Sequence, residues 1–222
     1  MKGAVLFSGG KDSCYAAYLM KKKGVDLSCL ISIFSDNKES YMFHTPSISK
    51  VKIQSKVMSV PLIIKRTSGE KEKELKDLKI AIKKAISNFD IDCVISGAVE
   101  SIYQKSRIQK ICNDLKIKSF NPLWKIDQIK LLNELIKNNF DAIITGVFAY
   151  PLDKSWLGKK INEKFVEDVK HLFKKYKINP AGEGGEFESF ILNCPLFYRE
   201  IEIIDRTIQG SKNSWYLEID VK

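Results

Sequence analysis

Two short segments of the 222-residue chain concentrate residues able to do chemistry. The first is Ser8-Gly9-Gly10-Lys11-Asp12-Ser13. It follows an apolar run over 4–7 and precedes a stretch over 12–22 that is apolar nearly all round (Tyr15, Ala16, Leu19, Met20), as a buried helix requires. A helix N-terminus leaves backbone N–H groups unpaired and carries partial positive charge, so a strand–turn–helix of this kind suits an anion. Gly9 and Gly10 let the backbone approach a phosphate, Ser8 and Ser13 add hydroxyl donors, and Lys11 adds a mobile cation. Asp12 opposes an anion unless a magnesium ion lies between them. The spacing is neither G-x-x-x-x-G-K-[ST] nor G-x-G-x-x-G.

The second segment is Gly182-Glu183-Gly184-Gly185-Glu186-Phe187-Glu188-Ser189. Its three carboxylates repel one another unless water or a cation relieves them. Its glycines are costly in chain entropy and can expose backbone N–H groups, which suits a binding loop. A solvated acidic turn is the other reading of these residues. Further candidates sit where other strands should end. Gly97 would let a strand end approach a nucleotide. Tyr103 and Arg107 share one helix face. His44 is one of two histidines, and a lone histidine is more often structural than catalytic, yet it stays a candidate.

The elements that must position these residues are legible as apolar runs at 4–7, 27–34, 62–64, 93–95 and 117–120. Helical patterns at 12–22, 46–57, 71–89 and 101–115 alternate with them. Such alternation predicts right-handed crossovers and a parallel sheet with helices on both faces. Beyond Asn121-Pro122-Leu123-Trp124 the pattern changes. Helices are expected at 127–138 and 161–177, a strand at 142–146, and closely spaced antiparallel strands at 189–193, 200–207 and 215–221. The expected division is a nucleotide-binding domain over 1–125 and a smaller α+β domain over 126–222 that carries the acidic motif.

Composition excludes several classes. Hydrophobic residues at 44% and charged residues at 29% exclude wholesale disorder. The apolar runs are too short to span a bilayer, and no signal-peptide core fits at the start, so no membrane association is expected. Net charge is +10, but only four of the 37 basic residues are Arg. Nucleic-acid readers lean on Arg, so most of these lysines read as solvated surface, with an acidic protein or RNA as the lesser reading. Five cysteines with no C-x-x-C argue against a zinc ribbon or a redox pair and fit a reducing cytoplasm.

S-G-G-x-D-S is the signature of the PP-loop ATP pyrophosphatases, which this chain resembles from Ser8 to Ser13 without departure. The resemblance implies a HUP-type fold of five parallel strands in order 3-2-1-4-5, with ATP at their carboxyl ends. It also implies cleavage between the α- and β-phosphates, with a substrate oxygen activated as an adenylate. The acidic motif, together with Ser155-Trp156-Leu157-Gly158, Met42-Phe43-His44-Thr45-Pro46, Tyr103-Gln104 with Arg107, and Pro122-Leu123-Trp124, resembles the diphthine–ammonia ligase branch. Ser189 stands where Thr is common. That branch amidates diphthine, a modified histidine on translation elongation factor 2, using ATP and ammonia.

Carried over residue by residue, the resemblance implies catalytic roles for Lys11, Asp12, Glu183, Glu186 and Glu188. It implies ATP contacts from Ser8 to Ser13, His44 and Gly97, with Mg²⁺ on Asp12. It implies substrate contacts from Tyr103, Gln104, Arg107, Gly184, Gly185 and Glu186. Tyr41, Phe43, Trp124, Tyr150 and Trp156 are candidates to cage the trimethylammonio group of diphthine. No glutaminase signature is visible, so free ammonia is the expected nitrogen source. A tRNA-modifying PP-loop enzyme (a thiolase or lysidine synthetase-like protein) is the runner-up, and a non-catalytic ATP-binding module the non-enzyme rival. Oligomeric state is left open.

Overall fold

The computed structural model describes residues 1–35, 50–68, 70 and 73–222. Five strands form a parallel sheet: β1 (Lys2–Leu6), β2 (Asp26–Ser35), β3 (Leu62–Thr67), β4 (Cys93–Ile95) and β5 (Lys118–Phe120), in spatial order β3-β2-β1-β4-β5. The order reverses beside β1, so the crevice at the carboxyl ends opens where the β1 loop emerges. The crossovers are α1 (Lys11–Lys22), α2 (Val51–Met58), α3 (Lys73–Phe89) and α4 (Ile102–Asp114). The first part of the helix expected over 46–57 lies outside the described residues.

Strand alternation divides the sheet between two cores. Ala4, Cys29, Ile31 and Val94 face α3 and α4, against Leu78, Ile82, Ile108 and Cys112. Val5, Leu30, Cys93 and Ile95 face the other way, against Tyr15, Ala16 and Met20 of α1. This second core runs on into α5 (Gln128–Lys137) and α6 (Glu163–Tyr176) through Leu131, Leu132, Leu135, Phe165 and Val169. It ends in a four-stranded antiparallel sheet of β6 (Asp141–Val147), β7 (Phe187–Asn193), β8 (Ile203–Ser211) and β9 (Ser214–Val221), ordered β7-β6-β9-β8. The two sheets thus share one apolar interior.

Side-chain caps fix where three helices begin. Ser101 accepts from the Gln104 amide, Asp127 from Lys130 and Asn162 from Phe165. The strand expected over 200–207 instead occupies Ile203–Ser211. It is an edge strand exposed along most of its length, so no buried stripe marks its ends in the sequence. Pairing with β9 through the Ser211–Ser214 turn sets its register. All five cysteines are buried free thiols, and no described helix is long and apolar enough to cross a membrane.

A shared interior predicts one cooperative unfolding transition. Leu132→Ala, at a fully buried position, should cost about 2–5 kcal/mol and lower the midpoint of both sheets together. Urea unfolding followed by near- and far-UV circular dichroism checks this; two separated transitions would contradict it.

Candidate functional site

The loop from β1 to α1 turns through Gly9, whose φ of +81° is the left-handed region that glycine tolerates. A Cβ there would also collide with Gln54 Oε1. Ser8 and Ser13 close the loop on itself: the Ser8 amide donates to Ser13 Oγ (3.3 Å), the two hydroxyls lie 3.2 Å apart, and Ser13 Oγ donates to the Gly10 carbonyl (3.2 Å). Gly10 is the N-cap of α1 and supplies no side-chain acceptor. An acceptor for the first helical amide comes instead from β7, where Ser189 Oγ accepts from the buried Lys11 N–H at 3.1 Å.

Strand β7 is held against this loop by backbone as well. The Ile191 amide donates to the Gly9 carbonyl at 3.1 Å. Gln54 Nε2, fully buried on α2, donates to both the Gly9 and Ile191 carbonyls at 2.9 Å. The acidic motif runs from the turn before β7 into its first three residues, so these bonds bring the two chemically active segments together.

Lys11 is only 4% exposed. Its ammonium donates to Asp12 Oδ2 at 2.7 Å, lies 3.7 Å from Glu183 Oε1 and sits 5.7 Å above the Phe187 ring. Burial pulls the Lys11 pKa down, but Asp12 and Glu183 outweigh it and hold the pKa above its ordinary value. Glu183 is pushed up to about 8, first by burial and then by the Asp12 charge, with Lys11 opposing. Glu188 is also pushed up to about 8, by burial, again against Lys11. These directions are incompatible with a simple Lys11–Glu183 ion pair. Asp12 is the nearer partner of the ammonium, and burial favours the protonated form of Glu183. Asp12 Oδ1 and Glu188 Oε2 are buried with no hydrogen-bond partner, as is Thr145 Oγ1 on the neighbouring strand β6.

Glu186 behaves differently from its two neighbours. Its Oε1 accepts from the Asn179 amide (2.9 Å) and its Oε2 from the Gly184 amide (2.8 Å). A Cβ on Gly184 would lie 2.7 Å from that carboxylate, whereas one on Gly185, at φ +85°, would meet nothing. Glu186 therefore organises its own loop. Gly97 is a packing requirement: a Cβ there would lie 2.7–2.9 Å from the Asp12 and Ser13 backbone, so glycine lets the end of β4 lie against the first turn of α1.

The other expected residues among those described have contacts of their own. Arg107 stacks on Tyr103 at 3.6 Å and lines a groove of about 410 Å³ between α3 and α4, which contains no residue of either motif. Gln104 contributes its amide to the Ser101 cap. Trp124 lies under Lys105 (3.9 Å), Trp156 under Lys159 (3.8 Å), and Tyr150 packs edge-on to Tyr176. His44, Tyr41 and Phe43 lie outside the described residues. Gln54 and Ser189 were absent from the expected site. Gln54 had a signal, because it is a polar residue on the Val51–Gln54–Ser55–Met58 stripe that α2 buries.

A model of the diphthamide synthase N-terminal domain matches residues 1–119, and one of the diphthamide synthase C-terminal domain matches residues 127–222. A Schizosaccharomyces pombe protein named diphthine–ammonia ligase is 31% identical over 99% of this chain and 39% of its own length. A Rattus norvegicus protein of the same name is 33% identical over 91% of this chain and 83% of its own. The solved structure of a predicted subunit of tRNA methyltransferase from Methanocaldococcus jannaschii is similar over 88% of this chain and 98% of that chain, with 20% identity and a TM-score of 0.46.

The raised Glu188 pKa has a consequence for stability. The unfolded chain releases this proton near 4.5, whereas the folded chain keeps it to about 8. The destabilising contribution is thus absent below about pH 4.5, grows as pH rises, and is complete above about 8. Glu188→Gln, which mimics the protonated form, should raise Tm at pH 8.5 and leave it nearly unchanged at pH 4. Equal shifts at both values would contradict the assignment.

Proposed function

The chain belongs to the diphthamide synthase family, and on that premise we propose that it amidates diphthine on translation elongation factor 2, using ATP and ammonia. The observation that carries the proposal is the buried Lys11 ammonium at a phosphate-type helix N-terminus, surrounded by more carboxyls than it can neutralise. A cationic substrate, and the metal ion that accompanies a polyphosphate, bring the positive charge that lets these carboxyls ionise.

In this reading the 1–125 part binds nucleotide and the 126–222 part presents the acidic loop to it. Ser8 to Ser13 would grip the pyrophosphate end of ATP, with Lys11 neutralising charge as it develops on the departing group. A diphthine carboxylate oxygen attacks the α-phosphorus, pyrophosphate leaves, and an acyl adenylate forms. Ammonia then attacks the acyl carbon, AMP leaves, and one proton is released. A carboxylate needs this activation because its leaving group would otherwise be oxide.

Asp12 Oδ1, a buried hard oxygen without a partner, fits Mg²⁺. Among the described residues no group of three or more His, Cys, Asp or Glu is placed to hold a metal by itself, so the ATP phosphates would complete the shell. Bound there, Mg²⁺ would supply neutralisation of phosphate charge. Glu188, with an unpartnered oxygen and a pKa raised to about 8, would act as a base once bound positive charge has lowered that pKa and its own proton has left, and would then accept the proton that ammonium gives up. Glu183 would join it against the trimethylammonio group or ammonium. The absence of a membrane-spanning helix among the described residues and the free buried thiols support a cytoplasmic site of action.

The direct test supplies ATP, ammonium and diphthine-bearing factor. The factor should become lighter by the difference between an oxygen atom and an N–H group, with AMP and pyrophosphate as co-products. An unchanged mass, or ADP as the product, would contradict the reading.

Two variants separate the glutamates. Glu188→Gln should still release pyrophosphate on adenylation but lose amidation. Glu186→Gln should bind ATP nearly as well as the unaltered protein and also lose amidation, because a Gln amide offers an N–H where the loop amides need an acceptor. Loop protease sensitivity should therefore rise in Glu186→Gln only.

A further inference from the structure

We propose that Ser189 is a positioning residue: a hydroxyl from β7 caps the phosphate-loop helix α1 and thereby registers the acidic loop against the bound nucleotide. The inference rests on the functional reading above for its consequence, though not for its geometry.

Helix α1 begins at a glycine. Ser, Thr, Asp or Asn at the N-cap would satisfy one of its first amides, and Gly10 cannot. A Cβ on Gly10 would lie 3.1 Å from the Ser189 carbonyl oxygen, so a larger residue there would press on β7. The loop that must stay open to a phosphate has no side-chain cap of its own, and an acceptor for its first helical amide arrives from a residue 178 positions later. Ser189 is only 6% exposed, so water is a poor substitute.

Three neighbouring bonds make the attachment directional. The Ile191 amide reaches the Gly9 carbonyl, and Gln54 Nε2 bridges the Gly9 and Ile191 carbonyls. Together they fix β7 along its own axis relative to the loop. Glu188 immediately precedes Ser189, and Phe187, whose ring lies beneath the Lys11 ammonium, precedes that. A shift of β7 at Ser189 therefore moves Glu188 relative to Lys11 and rotates the Lys11 amide away from its present direction. The hydroxyl accepts from that amide and keeps its own proton free to donate, so it can serve the cap and a phosphate oxygen at once. Thr retains this oxygen, whereas Ala removes it.

The experiment compares Ser189→Ala and Ser189→Thr with the unaltered full chain. Hydrogen exchange of the Lys11 amide reads the cap without reference to activity. Exchange should accelerate about five-fold or more in Ser189→Ala and return to the unaltered rate in Ser189→Thr, the range a lost cap predicts. ATP binding and amidation are measured in parallel, at a temperature where circular dichroism shows every variant folded. Ser189→Ala should bind ATP about five-fold more weakly and lose a larger factor in kcat, with both restored by Thr.

Unchanged Lys11 exchange in Ser189→Ala would overturn the cap. Faster exchange with unaltered ATP affinity and kcat would overturn the positioning role and leave Ser189 merely structural. Failure of the unaltered protein to bind ATP would instead count against the functional reading, and the exchange result would still decide the cap.

Discussion

One buried ammonium with too many carboxyls around it governs this site. Lys11 is held charged by Asp12 at 2.7 Å and by Glu183, while burial favours the protonated forms of Glu183 and Glu188. Such an arrangement is unfavourable unless something else offsets it. Here the offset lies in the fold: β7 is bonded to the phosphate loop through Ser189, Ile191 and Gln54, and the loop glutamates are carried in with it. The acidic surplus is thereby held ready for a cationic partner.

That juxtaposition explains why the two sheets share an interior. If they moved independently, the distance from Glu183 to Lys11 would vary, and the coupling between nucleotide and substrate would vary with it. Instead Val5, Tyr15, Leu132, Ile144, Phe187 and Ile191 belong to a single apolar cluster. Glycines are used where backbone meets backbone. Gly97 admits β4 to the first turn of α1, and Gly10 admits β7. A site assembled at such close range tolerates little error, consistent with the sensitivity of catalysis to small displacements.

Much of this was legible in the sequence, for definite reasons. The buried β strands are short apolar runs bounded by helical periodicity, which fixed the parallel sheet and its helices. Ser8 to Ser13 announced itself because two glycines, a lysine and hydroxyls rarely combine at the start of a buried helix. Other features were illegible because they depend on contacts far apart in the chain. Nothing local shows that Glu186 spends both oxygens on the Asn179 and Gly184 amides, while Glu183 and Glu188 keep theirs for the site. Gly97 reads as a nucleotide approach point, and only the structure shows that it also admits the end of β4 to the first turn of α1. Tyr103 and Arg107 do share a face, as their spacing required, but they meet each other beside the α3–α4 groove. The edge strand β8 was displaced because exposure leaves no alternation to read.

The most direct measurement is a carbon-13 titration of the Glu188 carboxyl in the unaltered protein, followed by NMR from pH 4 to 10. Burial, outweighing the charge of Lys11, predicts a midpoint near 8 without ligand and a fall of that midpoint when a cation occupies the site. A midpoint near the ordinary 4.5, unmoved by ATP and Mg²⁺ or by ammonium, would contradict the account.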